Sequence, residues 1–263
     1  MTKTTGTLLD KIRSVNDSLS SQLVERNELV KGCIIAILAR KHLFELGPPG
    51  TAKSLGTEKV CQSVKGVRYF EYQISMHSKP EDIYGPPRLS KLKQDIYERN
   101  TTGMLPEAHV AFLDEIWKAS GGILNTLLRM TDESRRFYNG SKIIHTPLMS
   151  MFGASNELPE SVELNALFDR FLLRYYVDDI VDDTNFITML SAPAMKVGQT
   201  MTLPELTTAQ RQVDKVKVEN GVLQDIIGFV GNCVVPGSRS HLVDGRSLCR
   251  CFVQTLGTLG GAK

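Results

Sequence analysis

The chain has 263 residues, of which 41% are hydrophobic and 23% are charged, and its formal net charge is +2. This composition is typical of a soluble globular protein with a sizeable core, and so small a charge gives no bulk reason to bind nucleic acid or an anionic membrane. No apolar run approaches the roughly 18 residues of a membrane span, and the N-terminus lacks the apolar core of a signal peptide.

These properties predict a cytoplasmic protein. The five cysteines are scattered, and Cys249 and Cys251 lack a second pair at zinc spacing. We therefore expect all five to be reduced structural thiols, namely Cys33, Cys61, Cys233, Cys249 and Cys251.

Predicted helices and strands alternate along the chain. Apolar residues recur at helical spacing over 7–24 and 27–39, where Asn27 is predicted to cap the second helix. Apolar strands are predicted at 42–46, 67–75, 109–115, 147–155 and 171–177. This alternation predicts an α/β fold, a parallel sheet with helices on both faces. We assign residues 1–182 to this core and the mostly helical residues 183–263 to a smaller C-terminal unit.

A glycine-rich loop follows the first strand and ends in Lys-Ser, the pattern of a phosphate-binding loop. Its glycines let the backbone aim N–H groups at phosphate oxygens, Lys53 can reach the β- and γ-phosphates, and the Ser54 hydroxyl can bind Mg²⁺. Ala52 stands where the pattern has glycine, and its methyl group fits if its φ is already helical. The alternative is an ordinary Gly-Pro turn. The candidate nucleotide ligands are Gly47, Pro48, Pro49, Gly50, Thr51, Ala52, Lys53, Ser54 and Leu55.

A second motif is the apolar strand that ends in Asp114 and Glu115. Carboxyl ends of parallel strands face the ligand crevice, so Asp114 is predicted to hold Mg²⁺, partly through water. Glu115 is predicted to polarise the attacking water. A strand that ends in solvated acids is a common alternative for one such motif. The coincidence of this motif with the Lys-Ser loop predicts that the chain binds a nucleoside triphosphate.

Two segments do not fit a minimal sheet. Residues 85–103 are predicted to form an inserted projection whose basic residues are interrupted by Asp95 and Glu98, which favours a solvated insert over a partner surface. Asn139-Gly140 predicts a tight hairpin turn between two strand-like arms. We expect the aromatic pair of that hairpin to pack in the sheet rather than to stack on a ligand.

Five segments together resemble the MoxR class of AAA+ ATPases, and within it the RavA-like branch. They are Gly47-Pro-Pro-Gly-Thr-Ala-Lys-Ser54, Leu105-Pro-Glu-Ala108, Phe112-Leu-Asp-Glu-Ile-Trp-Lys-Ala119, Ile123-Leu-Asn-Thr-Leu-Leu128 and Ala154-Ser-Asn-Glu-Leu-Pro-Glu160. The resemblance implies a core sheet of order 5-1-4-3-2, a small helical lid, and ATP with Mg²⁺. It also implies that the chain forms a homo-oligomer, a hexameric ring. Each subunit is expected to have an insert in the second helix of the family's core and a hairpin before the fourth strand. Residues 85–103 and 135–147 stand at those two places.

The resemblance also implies roles for residues outside the loop. Asn156 matches sensor 1, which helps Glu115 position water, although a turn residue is the alternative at a strand end. Arg170 matches the finger that reaches a neighbouring subunit's nucleotide, with Arg174 in reserve; an arginine that stabilises a helix C-terminus is the alternative. Arg246 matches sensor 2 in the lid, and a solvent-exposed arginine is its alternative.

These observations favour an ATPase that works in a ring and remodels or assembles a protein partner. Through the resemblance, that partner is expected to carry a von Willebrand factor A-type domain. Two other functions stay open: a nucleic-acid motor, which the weak net charge does not support, and a nucleotide-dependent scaffold with little turnover.

Overall fold

A five-stranded parallel sheet forms the centre of the computed structural model, which describes residues 7–193, 195–198 and 200–216. Its strands in chain order are β1 (His42–Leu46), β3 (Tyr69–Gln73), β4 (Val110–Asp114), β7 (Ser150–Ser155) and β8 (Phe171–Tyr176). Their spatial order is β3-β4-β7-β1-β8. Read from β8 and counting only these five, this order is 5-1-4-3-2, so the predicted fold and strand order are confirmed.

Helices cover both faces of the sheet because successive residues of each central strand point to opposite sides. Leu43 of β1 belongs to one apolar core and its neighbour Phe44 to the other. The first core lies under α1 (Leu8–Ser20), α2 (Asn27–Ala39), α3 (Lys53–Gln62) and α9 (Leu203–Val213). The second lies under α4 (Pro80–Tyr84), α6 (Gly121–Thr131) and α7 (Val162–Phe168).

The remaining elements are short. They are β2 (Val64–Lys65), which pairs with β9 (Met201–Thr202), the antiparallel pair β5 (Arg136–Asn139) and β6 (Lys142–His145), and the helices α5 (Leu89–Leu92) and α8 (Asp183–Ser191). Two single-turn 3-10 helices lie at Leu105–Glu107 and Ile116–Lys118. None of the described helices is long and apolar enough to cross a membrane.

The end of the described chain packs back onto the core. The Gln210 side-chain amide donates to the Ile37 carbonyl of α2 at 2.8 Å, and Leu206 lies in the first core. The division at residue 182/183 stays a prediction, because most of the second unit lies outside the described residues. Arg246, Cys233, Cys249 and Cys251 also lie outside the described residues.

The prediction that Asn27 caps α2 was wrong. The helix begins at Asn27 itself, after an Arg26 whose side chain makes no capping hydrogen bond. A capping box does occur in the preceding helix, where the Thr7 hydroxyl accepts from the Asp10 N–H and the Asp10 carboxylate accepts from the Thr7 N–H. Cys33 and Cys61, the described cysteines, are buried and free, as expected.

The insert and the hairpin pack against each other. The Asn139 amide accepts from the Arg99 N–H at 2.6 Å and donates to the Arg99 carbonyl at 3.1 Å. Asn139 is therefore a paired strand residue, and the turn consists of Gly140 and Ser141, one position later than predicted. Gly140 has φ +63°, and a Cβ there would lie 1.8 Å from the Tyr97 carbonyl oxygen. Glycine is needed at this position for both reasons.

Candidate functional site

The glycine-rich loop connects β1 to α3 at the carboxyl end of the central strand. The Gly47 N–H donates to the Ser155 carbonyl at 3.1 Å, and a Cβ at Gly47 would lie 2.0 Å from the Val177 carbonyl oxygen. The first glycine of the loop is therefore required by close packing between strands. Gly50 has φ +85° with open space around it, which lets the loop turn.

Lys53 lies inside this loop and is almost fully buried. Its ammonium donates to the carbonyl oxygens of Gly47 and Pro48 at 2.8 and 2.7 Å. The Thr51 hydroxyl also donates to the Pro48 carbonyl at 3.0 Å, which holds the loop closed around the lysine. A positive charge is thus concentrated at the N-terminus of α3, where anions are favoured.

Ala52 has a left-handed backbone conformation rather than the helical φ at which its methyl group would fit. Its φ of 62° and ψ of 33° lie in the left-handed region, immediately before α3 begins. This region costs an L-residue about 1–2 kcal/mol, which explains why a loop of this kind usually has glycine there. The condition under which the methyl group was expected to fit, a helical φ, is therefore not met, and the loop has alanine in a left-handed conformation.

The two acids stand where β4 ends. Asp114 is the last strand residue, and its carboxylate accepts the Glu115 N–H at 2.9 Å. Glu115 has φ +53°, so the backbone makes a left-handed turn at this residue, directly after Asp114. The Glu115 carboxylate pairs with the Lys118 ammonium at 3.2 Å.

Asn156 follows β7, which lies between β4 and β1 in the sheet. It is exposed, and Ser155 beside it is paired with Leu46 at the end of β1. The loop, the acids and Asn156 thus leave the same edge of three adjacent strands. In a parallel sheet this edge is where ligands bind.

Arg170 and Arg174 lie elsewhere. Phe171 is paired with His42 at the start of β1, so Arg170 lies at the amino end of the sheet. The Arg170 guanidinium donates to the Ala166 carbonyl at 2.7 Å. Arg174 is held more firmly: its guanidinium lies 3.8 Å from the Phe168 ring centroid and donates to the carbonyls of Phe168 and Phe171.

A family described as the MoxR domain in the MoxR-vWA-beta-propeller ternary systems matches residues 10–218. The chain belongs to this MoxR family of AAA+ ATPases.

Two similar proteins are the uncharacterized MJ0079 and MJ0812 of Methanocaldococcus jannaschii. The first is 36% identical over 237 residues, covering 89% of this chain and 60% of that protein. The second is 37% identical over 222 residues, covering 84% and 58%. The chain thus spans about three fifths of the length of these relatives.

More distant similarities agree with the fold. A structural protein of Acidianus two-tailed virus, ORF618, is 28% identical over 204 residues, covering 76% of this chain and 33% of that protein. A crystal structure of a provisionally assigned ATPase from Cytophaga hutchinsonii superposes with a TM-score of 0.69 at 16% identity, covering 85% of this chain and 69% of the other. At this identity the match supports the fold alone.

Two residues near the loop of this MoxR domain were missed by the sequence analysis. The Arg26 guanidinium donates to the Thr51 carbonyl of the loop at 3.2 Å and to the Asp178 carbonyl after β8 at 2.6 Å. It thus ties the loop to the segment that leads into α8. No sequence motif marks Arg26, because its partners are backbone atoms remote in sequence.

Glu45 is the second missed residue, a fully buried acid in β1 two positions before the loop. Among the described residues, neither of its carboxylate oxygens has a hydrogen-bond partner. Burial raises the pKa of Glu45 well above its usual value, the Lys53 charge opposes this shift, and the Asp114 charge adds to it. The sequence did contain a signal for this residue, because Glu45 is an acid inside an otherwise apolar strand.

The donor atoms at this edge suit Mg²⁺, which the MoxR family implies together with ATP. Asp114 offers a carboxylate and Ser54 a hydroxyl, both oxygen donors of the kind that this hard cation prefers. The described residues contain no cluster of three or more metal-ligating side chains. Mg²⁺ usually keeps several waters and substrate phosphate oxygens among its ligands, so one carboxylate and one hydroxyl are a protein donor set of the kind it uses.

Proposed function

We propose that this MoxR domain hydrolyses ATP with Mg²⁺ and does so within a ring of identical subunits. The observation that carries the proposal is the convergence of the loop, Asp114–Glu115 and Asn156 at the carboxyl ends of three adjacent strands. A phosphate-binding loop alone would support binding, whereas an acid and an amide beside it are the groups that orient an attacking water.

In this proposal each residue has one task. Lys53 and the N–H groups of residues 47–55 bind the phosphates, and Ser54 and Asp114 hold Mg²⁺, which when bound neutralises phosphate charge.

Glu115 accepts a proton from the attacking water, and Asn156 orients that water. Before it can act, the Glu115 carboxylate must leave Lys118. Arg246 is proposed as the lid arginine that contacts the γ-phosphate.

Arg170 is the proposed finger, with Arg174 as the alternative. β1 has five residues, so its first and last Cα atoms are about 13 Å apart at roughly 3.3 Å per residue. Arg170 stands beside the first of them and the loop follows the last. An arginine in this position serves a nucleotide bound by a neighbouring copy, which is why we propose a ring, with six subunits as the family resemblance implies.

The proposed task of the ring is to remodel or assemble a protein partner. The family description joins MoxR domains with vWA proteins, which supports a partner with a von Willebrand factor A-type domain. The insert and the hairpin take no part in phosphate chemistry and present exposed apolar side chains, such as Leu89 and Ile143. We assign the chain to the RavA-like branch on the sequence motifs, and residues 183–263 to its lid.

The test is phosphate release and nucleotide binding measured in parallel. Lys53→Ala removes a charged contact, so ATP binding should weaken by roughly 1.5–3 kcal/mol. Glu115→Gln should bind ATP normally and turn over at least about 100-fold more slowly. The matched controls are Lys65→Ala and Glu163→Gln at exposed positions, which should behave as wild type. Normal turnover by Glu115→Gln would mean that another acid activates water.

A further inference from the structure

A cavity of about 240 Å³ lies between α6 and the hairpin. Its lining residues are Asn125, Thr126, Arg129, Arg136 and Tyr138. The Arg129 guanidinium lies 4.6 Å from the Tyr138 ring centroid, a cation–π contact that fixes its direction. Two arginines therefore line one small cavity.

Neither arginine is neutralised within the described part of the chain. The ion pairs there include no partner for Arg129 or Arg136, and their side chains donate no hydrogen bond to a described residue. Two like charges facing one cavity repel each other unless an anion lies between them. The planar guanidinium groups suit a carboxylate, which they can bind in a bidentate manner.

The surface around the cavity favours a protein carboxylate over a nucleic-acid backbone. Tyr138 is paired across the hairpin with Ile143, and these two side chains are 44% and 58% exposed. Exposed apolar side chains thus lie beside the two arginines, and carboxylates flanked by apolar side chains match this surface better than a uniformly polar phosphate backbone.

The chain itself contains a segment of that chemistry. Residues 178–183 read Asp-Asp-Ile-Val-Asp-Asp, and their four aspartates are exposed. None of these aspartates forms an ion pair with a described residue. Val181 between them is 83% exposed. The segment is anchored through its backbone, since Arg26 binds the Asp178 carbonyl and the Val181 N–H donates to Glu25.

The cavity and the acidic segment cannot meet within one chain. The hairpin packs on the second core and joins the amino end of β7, whereas the segment leaves the carboxyl end of β8 and is held on the α1–α2 connection, on the opposite face. Two complementary surfaces on opposite sides of one molecule give a head-to-tail contact, which forms a ring when the rotation closes.

We propose that residues 178–183 of one copy dock into the Arg129–Arg136 cavity of the next copy. This inference rests on the proposed ring and names one of its contacts. Asp179 and Asp183 supply the carboxylates, and Val181 packs against the exposed Tyr138 and Ile143. Because the contact is largely ionic, association should weaken as salt is raised.

The test is sedimentation velocity of the full chain with Mg²⁺ and ADP over a range of protein and salt concentrations. Reversing the basic side (Arg129→Glu with Arg136→Glu) or the acidic side (Asp179→Lys with Asp183→Lys) should weaken association at least about ten-fold, since like charges then face each other. Combining all four changes should restore association to within about three-fold of wild type. Lys65→Glu with Arg211→Glu, at exposed positions on other elements, makes the same change in net charge and should have no effect.

ATP binding and thermal unfolding, measured on each variant, show that the fold and the nucleotide site persist. Assembly that survives either reversal, or four changes that fail to restore it, would overturn the proposal and leave the cavity to another acidic protein. A wild-type chain that stays monomeric under all conditions would overturn it as well. ATP turnover is measured separately on the wild type, so a catalytically inactive ring refutes the proposed activity without touching this contact.

Discussion

At the residue scale, the glycine-rich loop has an alanine at a position whose backbone conformation does not favour a side chain. Ala52 has φ 62° where the general pattern of such loops has glycine, and the contacts of Lys53 and Thr51 hold it there. Since the strain at one left-handed alanine is about 1 kcal/mol, the loop must be held by contacts worth more than that. These contacts explain why the loop tolerates the substitution.

Ala52→Gly is therefore expected to raise the free energy of unfolding by about 1 kcal/mol, because glycine occupies this region without strain. The measurement is urea unfolding at constant pH. Ala39→Gly, within the right-handed helix α2, is the control and should lower the free energy by about 0.5–1 kcal/mol. Equal losses at both positions would show that Ala52 bears no strain.

Glu45 gives a second prediction at this scale. Its carboxyl is buried without a partner among the described residues, and burial raises its pKa well above the usual value. The pKa of Glu45 is therefore higher in the folded protein than in the unfolded chain, where it is about 4.5, so folding grows less favourable as pH rises above that value.

Glu45→Met, a substitution of similar length, should raise the free energy of unfolding by about 1–3 kcal/mol at neutral pH. This gain should shrink as the pH falls towards the unfolded pKa of the carboxyl. Unfolding curves at pH 5 and pH 8 measure it, with the exposed Glu163→Met as control. A loss of stability at both pH values would mean that the carboxyl has a stabilising partner. ATP turnover of the same variant would show whether the acid also acts on Lys53.

At the element scale, one histidine joins the start of β1 to three other elements. The Met151 N–H of β7 donates to Nδ1 of His42 at 2.9 Å, and Nε2 lies 3.0 Å from the Thr131 carbonyl oxygen at the end of α6. The Arg135 guanidinium at the base of the hairpin lies against the same ring nitrogen. Burial first, and then the Arg135 charge, lower the pKa of His42 to about 3.

Below about pH 6.5 the imidazole of residue 42 is protonated in the unfolded chain but not in the folded protein. The free energy of unfolding should therefore fall as the pH drops from 6.5 towards 3. The slope from this group is at most about 1.4 kcal/mol per pH unit. His42→Gln keeps the donor to Thr131 but cannot be protonated, so its stability deficit against wild type should shrink as the pH falls. Urea unfolding between pH 5 and pH 8 checks this, with exposed His77→Gln as control. A deficit that stays constant would show that His42 is not held neutral.

The strands were predictable because a buried parallel strand needs an unbroken apolar run, and the five runs in this chain became the five strands of the sheet. Residues whose conformation depends on contacts remote in sequence could not be predicted. Asn139 resembles a turn residue in sequence but is paired within β5 because its amide fits the backbone of Arg99, 40 residues away. In the same way, Arg26 serves the loop through carbonyl groups that carry no sequence signal.

At the scale of the whole molecule, the fold places the proposed catalytic groups at opposite ends of the strands, so the proposed mechanism needs two copies. The loop and acids lie at one end of the strands, and Arg170 lies at the other. The Arg129–Arg136 cavity and the acidic segment repeat this separation on opposite faces of the sheet. A chain built in this way should be catalytically weak alone, and specific turnover should rise with protein concentration.

Mixing two inactive variants tests this division. Glu115→Gln keeps its Arg170, and Arg170→Ala keeps its Glu115, so a mixed ring contains interfaces at which both intact residues meet. With random assembly of equal amounts, about one interface in four is complete, and turnover should recover to about a quarter of wild type. Phosphate release after mixing measures it.

The control mixture is Glu115→Gln with Lys53→Ala. Both lesions lie on the nucleotide side of the same subunit, so every site in that mixture lacks one of the two residues and no recovery is expected. Arg174→Ala replaces Arg170→Ala in a second series to decide between the two arginines. Recovery in the control, or wild-type turnover independent of protein concentration in a monomer, would rule out a finger supplied by the neighbour. Recovery confined to the Arg170 mixture would assign that arginine, because only a residue acting across the interface can be supplied by a subunit that is itself inactive.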